Sequence, residues 1–151
     1  MEIRGFQVVS HYRNKDIDLP VRKTRLSAGY DLAAAEDRVI LPQQVTLIPT
    51  GLKAYMQDNE YLGIHIRSGF AMKNSITLIN SQGIIDADYY NNPDNEGHIM
   101  IAVFNHGHEP VYLTRNTRIA QGIFYQYLTA DHDCMNTAEK RSGGFGSTGE
   151  S

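Results

Sequence analysis

The spacing of turn residues constrains the fold of this chain more than any other feature. Between residues 38 and 67, short runs of β-branched and aromatic side chains alternate with proline, glycine and asparagine. Turns recur about every eight to twelve residues, a rhythm typical of a β-sandwich or β-barrel. No long stretch has helical periodicity, and only short turns of helix are expected, at 71–74 or 131–140. The sequence therefore predicts an all-β protein with little helix.

Length and charge limit the possible functions. A chain of 151 residues forms one domain with a core of ordinary size, and a net charge of −3 argues against affinity for duplex nucleic acid or an acidic membrane surface. No apolar run approaches the ~20 residues of a membrane span, and the N-terminus has no signal-peptide pattern. The single cysteine, Cys134, cannot form an internal disulfide, which fits a reducing compartment. We expect a soluble, cytoplasmic protein.

Two strand-forming runs, at 75–79 and 83–90, flank the sequence Asn-Ser-Gln-Gly at 80–83. Asparagine first and glycine last is typical of a type I turn, so the segment is predicted to be a β-hairpin. Its second strand carries Asp86 and Asp88 among apolar residues. A carboxylate fixed on a strand can polarise a water, and a neighbouring aromatic ring can pack against a sugar or base. The alternative interpretation is an exposed strand edge with alternating acids.

Strict strand alternation sets a condition on this predicted site. It places Asp86 and Tyr89 on opposite faces of the strand. If both side chains serve one pocket, the strand must bend or bulge between them, and we expect that it does. Asp88 lies on the face of Asp86 by the same alternation, which makes it the second candidate for a general base.

Three other segments carry polar groups suited to an anionic ligand. Arg67-Ser68-Gly69 combines a guanidinium, a hydroxyl and an exposed backbone, a set that suits a phosphate chain. Asp31 supplies a hard oxygen ligand beside small residues. Gln121 lies in an alternating run, on the face of its apolar neighbours at 119 and 123, where an amide needs hydrogen-bond partners. For each segment alone, a purely structural role is equally acceptable.

The glycine-rich C-terminus, 141–149, contains one aromatic and one arginine. By composition it is a flexible tail, although its free amides and its ring could also close over a nucleotide.

Taken together, these segments resemble, in order, the five signature motifs of the trimeric dUTP diphosphatases (dUTPases). The matching segments are Ala-Gly-Tyr-Asp-Leu at 28–32, Arg-Ser-Gly-Phe-Ala at 67–71, Gly-Ile-Ile-Asp-Ala-Asp-Tyr at 83–89, Arg-Ile-Ala-Gln at 118–121 and the tail at 141–149. They run through most of the chain. The resemblance implies a distorted jelly-roll-like β-barrel or sandwich spanning residues 1–139, with residues 140–151 as a flexible arm that closes over the active site.

The family resemblance also implies an activity and a set of roles. The reaction is hydrolysis of dUTP to dUMP and pyrophosphate, with Mg²⁺ as cofactor and Asp86 as the residue that activates water. The implied assembly is a homotrimer in which the hairpin, the phosphate motifs and the tail of one site come from different subunits. Asp31 is expected to contact the metal through water. The residues expected to bind dUTP are Arg67, Ser68, Gly69, Asn80, Gly83, Ile85, Asp86, Tyr89, Gln121, Arg141, Phe145, Gly146 and Ser147.

The chain departs from the family pattern in three places. Ile66 and Phe70 replace the proline and leucine of the second motif, the segment at 90–97 is longer than usual, and the tail is one residue shorter before Phe145. Arg141 or Lys140 is therefore the candidate for the terminal phosphate. Two alternatives stay open, a dCTP deaminase-like enzyme and a non-catalytic module that senses nucleotides or binds proteins, although no pocket glutamate for a deaminase is evident.

Overall fold

A computed structural model of the protein describes residues 1–133, and these form eleven β-strands and one short α-helix. Helix α1 is Ser68–Asn74, and two 3₁₀ turns lie at Ser10–Tyr12 and Ala87–Tyr89. The strands are β1 (Gly5–Val8), β2 (Tyr30–Ala33), β3 (Arg38–Ile40), β4 (Val45–Pro49), β5 (Leu52–Tyr55), β6 (Glu60–Ile66), β7 (Ile76–Leu78), β8 (Gly83–Asp86), β9 (Met100–Asn105), β10 (Val111–Leu113) and β11 (Arg118–Gln126). The prediction of an all-β fold with little helix is confirmed.

The strands pair antiparallel in four sheets. The largest has the order β2-β11-β6-β8, a second has the order β4-β9-β7, and β1-β5 and β10-β3 form two-stranded sheets. Sequence neighbours therefore lie in different sheets, as in the jelly-roll-like arrangement expected from the sequence. Among residues 1–133, no helix is long and apolar enough to cross a membrane.

The larger of two apolar clusters fills the space between the sheets. Its most buried large side chains, each at most 1% exposed, come from seven strands and their ends and are Leu32, Ile40, Ile48, Leu62, Ile76, Ile99, Ile101, Val103 and Ile119. Six are isoleucines, whose branched side chains pack well on a pleated surface. Burying side chains of this size stabilises the fold by roughly 1.5–3 kcal/mol each.

The predicted hairpin at 75–90 is not formed, and that prediction is wrong. Strand β7 pairs with β9, whereas β8 pairs with β6 in the largest sheet. The connection between β7 and β8 therefore crosses from one sheet to another. Ile76 and Leu78 of β7 are buried, and Ile85 of β8 packs against the core while partly exposed. Burial against separate partners replaces the local pairing that the turn signature suggested.

The connection at 79–83 is also not a type I turn. Ser81 has a φ of 64°, whereas a type I turn needs a negative φ at this position. The amide of Gln82 donates to the carbonyl oxygen of Asn80 at 2.6 Å, a three-residue turn. Such a tight turn redirects the chain sharply, as a crossing between two sheets requires.

The expected interruption between Asp86 and Tyr89 is present. Strand β8 ends at Asp86, and residues Ala87–Tyr89 form a 3₁₀ turn. The alternation that placed Asp88 on the face of Asp86 does not extend past the end of the strand. Tyr89 is buried, and its hydroxyl donates to the carbonyl oxygen of His98 at 2.7 Å and accepts from Asn95 Nδ2 at 2.9 Å.

The long segment after Tyr89 is anchored to β5 by a half-buried ion pair. Lys53 Nζ donates to Glu96 Oε2 at 2.7 Å and to Asn91 Oδ1 at 2.5 Å, and it lies 5.1 Å from the centre of the Tyr90 ring. Glu96 also accepts from the backbone and hydroxyl of Ser10. The hydrogen bond from Lys53 lowers the pKa of the Glu96 carboxyl. The ion pair thus fixes the loop that carries Tyr89.

Replacement of Glu96 by Gln should destabilise the protein by about 2 kcal/mol at pH 7, since the Lys53 ammonium, 8% exposed, would lose its counter-charge. The folded-state pKa of Glu96 is lowered, so its contribution is complete above the unfolded-state pKa of about 4.3 and is lost as pH falls through the folded-state value. Urea unfolding of both proteins at pH 7 and pH 3.5 measures this difference, which should shrink at the lower pH.

The matched control is Asp94→Asn, a neutralisation of an exposed carboxylate in the same loop. It should change the unfolding free energy by less than about 0.5 kcal/mol. Equal effects of the two substitutions would contradict a specific role for the Lys53–Glu96 pair.

Candidate functional site

The outer face of the largest sheet carries most of the polar residues singled out by the sequence. Strand β6 shows the alternation clearly, since Leu62 and Ile64 point into the core and Tyr61 and His65 lie partly exposed on the other face. Antiparallel pairing then defines which residues of β2, β11 and β8 share that outer face.

The strand register arranges this face in rows. One row contains Asp31, Gln121 and His65, which are directly opposite one another on β2, β11 and β6. A second row, four residues along β6, contains Tyr125, Tyr61 and Asp86 on β11, β6 and β8. Asp31 and Asp86 therefore occupy opposite corners of one sheet.

A cluster of charged side chains occupies the corner near Asp31. The carboxylate lies 3.4 Å from Arg118 Nη1 and 3.8 Å from Arg67 Nε, and the Asp31 side chain is 11% exposed. Arg67 Nη1 also donates to the carbonyl oxygen of Arg118 at 3.2 Å. Two guanidinium groups around one carboxylate leave a local excess of positive charge, although the whole chain is net negative. We call this corner the phosphate corner, because its charges suit a phosphate chain.

Gln121 lies at the same corner because Gly29 leaves room for it. A Cβ on Gly29 would lie 2.2 Å from Oε1 of Gln121, so only glycine fits beneath the amide. The predicted shared face of Gln121 and residue 119 is wrong. A register shift between Arg118 and Ala120 interrupts the alternation, and Ile119 is fully buried in the core while Gln121 stays on the outer face.

Ser68 and Gly69 are the exposed first residues of helix α1, immediately after Arg67. The Arg67 backbone is extended, and its amide donates to the carbonyl oxygen of Ile119 at 2.9 Å. This hydrogen bond ties the start of the helix to β11. The predicted residues Asp31, Arg67, Ser68, Gly69 and Gln121 are thus brought together.

The other predicted residues lie at the opposite edge of the sheet, in the region from Asn80 to Tyr89 that we call the base corner. Asn80 is exposed in the tight turn, Gly83 and Ile85 lie in β8 with Ile85 against the core, and Asp86 ends the strand. Tyr89 is only 8% exposed, and its hydroxyl contacts the carbonyl oxygen of His98 and Nδ2 of Asn95. The tail residues Arg141, Phe145, Gly146 and Ser147, and the alternative Lys140, lie outside the described residues.

The two corners are far apart within one chain. Strands β2 and β8 are separated by three strand spacings, roughly 14 Å, and the two rows by four residues, also roughly 14 Å. A water-activating carboxylate and the groups that bind the same phosphate must lie within a few ångström of it. Asp86 and Asp31 of one chain cannot meet that condition.

Residues 1–133 contain no cluster of three or more His, Cys, Asp or Glu side chains that could hold a metal ion. Asp31 offers a single carboxylate, and two arginines already surround it. Such a donor set fits a hydrated Mg²⁺ that a phosphate ligand brings with it, because Mg²⁺ retains several waters and needs only one or two carboxylates.

Sequence reasoning missed Arg118 as a site residue. It stands at the first position of the Arg-Ile-Ala-Gln segment, and its guanidinium contacts Asp31. The charge at this position was the available signal, but only the pairing of β11 with β2 shows that it faces a carboxylate. A cavity of about 310 Å³ lined by Asp31, Arg118 and the linker at 17–21 adjoins this corner.

Comparison with known proteins gives one consistent result. The sequence model of the dUTPase family matches residues 15–149. A deoxyuridine 5'-triphosphate nucleotidohydrolase of Lactococcus lactis subsp. lactis is 51% identical over 149 residues, with 99% of each chain covered.

Solved structures agree with the sequence comparison. A dUTPase from Streptococcus mutans matches with a TM-score of 0.80 and 44% identity, over 84% of this chain and 98% of that one. The structure of a mutant dUTPase from phage phi11 of S. aureus, which reveals the coordination of a structural Mg(II) ion in that protein, shares the fold with a TM-score of 0.71 at 18% identity, over 91% of this chain and 99% of that one. The sequence match, the structural match and the five ordered motifs show that this chain belongs to the dUTPase family.

Proposed function

We propose that the protein hydrolyses dUTP to dUMP and pyrophosphate by attack of water on the α-phosphorus. This activity limits incorporation of uracil into DNA and supplies dUMP for thymidylate synthesis. The observation that carries the proposal concerns the outer face of the largest sheet. This face holds the Asp86 carboxylate at one corner and the Asp31–Arg67–Gln121 set at the other, and all of these residues lie in motifs of the dUTPase family.

Asp86 orients the attacking water and accepts its proton, a role worth on the order of 10²–10⁴ in rate. Arg67, Ser68 and Gln121 hold the phosphates and neutralise the charge that develops on the leaving pyrophosphate. Arg118 keeps the Asp31 carboxylate in place, since its Nη1 lies 3.4 Å from Asp31 Oδ2. These groups are positioned by paired strands, so little reorganisation accompanies the reaction.

Asp31 is the residue that would hold Mg²⁺, through a water molecule, when the ion is bound with the triphosphate. The ion would supply neutralisation of charge on the phosphate oxygens. A single carboxylate at 11% exposure is consistent with this secondary role.

The base corner recognises uracil. Backbone groups of the tight turn at 80–83, with Asn80, Gly83 and Ile85, offer donors and acceptors that cytosine cannot match, and the narrow space excludes the methyl group of thymine. Tyr89 packs against the deoxyribose and leaves no space for a 2′-hydroxyl. Its hydroxyl is already bound to His98, which fixes the ring in one orientation.

A homotrimer completes each site. The separation of roughly 20 Å between Asp31 and Asp86 within a chain supports a site in which the base corner of one subunit meets the phosphate corner of another. Residues 140–151 of a third subunit close over the nucleotide, with Phe145 on the uracil, Gly146 and Ser147 on the phosphates, and Arg141 or Lys140 on the terminal phosphate. Residues 1–139 form the β domain that carries this arm.

Purified protein with Mg²⁺ should release pyrophosphate from dUTP and, under the same conditions, much less from dCTP, dTTP or UTP. The expected preference follows from the narrow base corner and the covered Tyr89. Separate assays of the four nucleotides measure it. Ammonia release from dCTP would instead support a deaminase. Release from none of them by folded protein would favour a module that binds nucleotides or proteins without catalysis.

Asp86→Asn should lower kcat for dUTP at least a hundredfold, because the amide cannot accept the proton of the attacking water. Nucleotide binding, measured by calorimetry with a non-hydrolysable dUTP analogue, should be largely retained. Asp88→Asn is the matched control, since Asp88 lies two residues further in the 3₁₀ turn and is exposed. Normal turnover of Asp86→Asn with loss of turnover in Asp88→Asn would move the role to Asp88.

Shared sites predict complementation between two inactive variants. Asp86→Asn damages the base corner, and Arg67→Ala damages the phosphate corner. When the two are unfolded and refolded together, random trimers should regain about a quarter of wild-type activity, because some sites then combine two intact halves. Each variant refolded alone is the control. If each site lay within one subunit, the mixture would be no more active than the separate variants.

A further inference from the structure

Between the two corners, the outer face of the sheet carries a polar network that the proposed reaction does not use. His65 Nε2 lies 3.0 Å from the hydroxyl of Tyr125 and 3.3 Å from Nε2 of Gln82. The Tyr125 ring stacks on Tyr61, with the ring centres 5.0 Å apart and an interplanar angle of 16°. Tyr61 in turn lies directly opposite Asp86. The network thus lies beside the base corner.

Gly63 makes the network possible. A Cβ on this residue would lie 2.5 Å from Gln82 Nε2 and 2.6 Å from Cε2 of Tyr125. The two side chains therefore lie flat across the bare backbone of β6 to reach His65, which no other residue at position 63 would permit. A side chain that is held on two sides by a stack and a hydrogen bond loses most of its rotamer freedom.

Both contacts are made by one nitrogen of His65. Nε2 of His65 is within hydrogen-bond distance of both the Gln82 amide and the Tyr125 hydroxyl, and the ring tautomer decides which group donates in each contact. His65 therefore fixes two side chains at once, one from β11 and one from the turn before β8.

Gln82 belongs to the segment proposed to read uracil. It follows Ser81, whose φ of 64° marks the tight turn, and it precedes Gly83, the first residue of β8. Its own amide donates to the carbonyl oxygen of Asn80 at 2.6 Å. A contact between the Gln82 side chain and the sheet can therefore hold this short turn in place.

We propose that His65 is a positioning residue for base specificity. It holds the Gln82 side chain and thereby fixes the turn at 80–83, the segment that excludes the methyl group of thymine. This inference rests on the proposed function, since the turn selects a base only if the protein hydrolyses dUTP. His65 contacts the turn's anchor rather than the nucleotide, so its loss affects discrimination more than turnover. Rejection of one methyl group is worth only about 10–200-fold, and a small displacement of the turn removes much of it.

His65→Phe keeps a ring and removes the nitrogen that contacts both Gln82 and Tyr125. We expect the ratio of kcat/KM for dUTP over dTTP to fall about tenfold, with kcat for dUTP changed less than about threefold. An unchanged ratio, or a parallel fall in kcat/KM for both nucleotides, would overturn the proposal. Should His65→Phe fail to fold, Gln82→Met removes the same contact from the other side and carries the same expectation.

Two tyrosines of the same segment provide a matched pair. Tyr125→Phe removes the hydroxyl that contacts His65, whereas Tyr127→Phe removes a hydroxyl that donates to the carbonyl oxygen of Asp58 at 2.9 Å, away from the turn. Only the first should lower the discrimination ratio. The double variant of Tyr125→Phe and His65→Phe should be no worse than His65→Phe alone, because both changes break one network. Equal effects of the two tyrosine variants, or additive effects in the double variant, would count against the proposed role of His65.

Amide hydrogen exchange separates failure of this inference from failure of the proposed function. Exchange of the amides at 79–83 in the protein without nucleotide should be faster in His65→Phe than in the wild type, and unchanged in Tyr127→Phe. If the wild type hydrolyses no dUTP, the proposed function fails, whereas faster exchange would still support the anchoring of the turn. If exchange at 79–83 is the same in His65→Phe and the wild type, the anchoring is wrong whatever the activity.

Discussion

The pairing of β6 with β11 is the constraint on which the other features depend. The ladder runs from Ala120 opposite Ile66 to Gln126 opposite Glu60, and it joins segments that lie more than fifty residues apart in the chain. It brings Arg67 to β11 and Tyr125 to Tyr61. Strands β2 and β8 add to the outer edges of this pair, and each carries one of the two aspartates. The two corners therefore have fixed positions because one ladder sets the register of both.

Two glycines on or beside this sheet have a common structural role. At Gly29 and at Gly63, the absence of a Cβ lets a polar side chain from β11 lie flat on the backbone, Gln121 in one case and Tyr125 in the other. Strand interiors normally disfavour glycine, since it contributes no packing and costs backbone entropy. Here the cost is offset because hydrogen-bonding groups are held close to the sheet. The same groups would be mobile if they lay further from the backbone. Only the first of these glycines lies in a segment that the sequence marked as functional.

Sequence reasoning was accurate wherever one residue and its immediate neighbours carry the information. The strands and the short helix follow from local composition, the break after Asp86 was expected because one pocket was to hold both Asp86 and Tyr89, and five motifs were enough to indicate the family. It failed where a distant partner decides the outcome. Asn80 and Gly83 suggested a hairpin, but β7 pairs with β9 and β8 pairs with β6, and simple alternation could not foresee the register shift beside the buried Ile119. Arg118 and His65 gain meaning only from the strand opposite, which no local pattern specifies.

The geometry of the sheet also explains why catalysis would depend on assembly. Strands are about 4.8 Å apart, so a four-stranded sheet that carries Asp31 on one edge strand and Asp86 on the other separates them by roughly 14 Å in that direction alone. No side-chain rotation closes such a gap. Because paired strands fix both positions, the proposed reaction would need a second copy of the chain to bring the two groups together. A closed ring of copies would then complete every half-site with the same contact, repeated by symmetry.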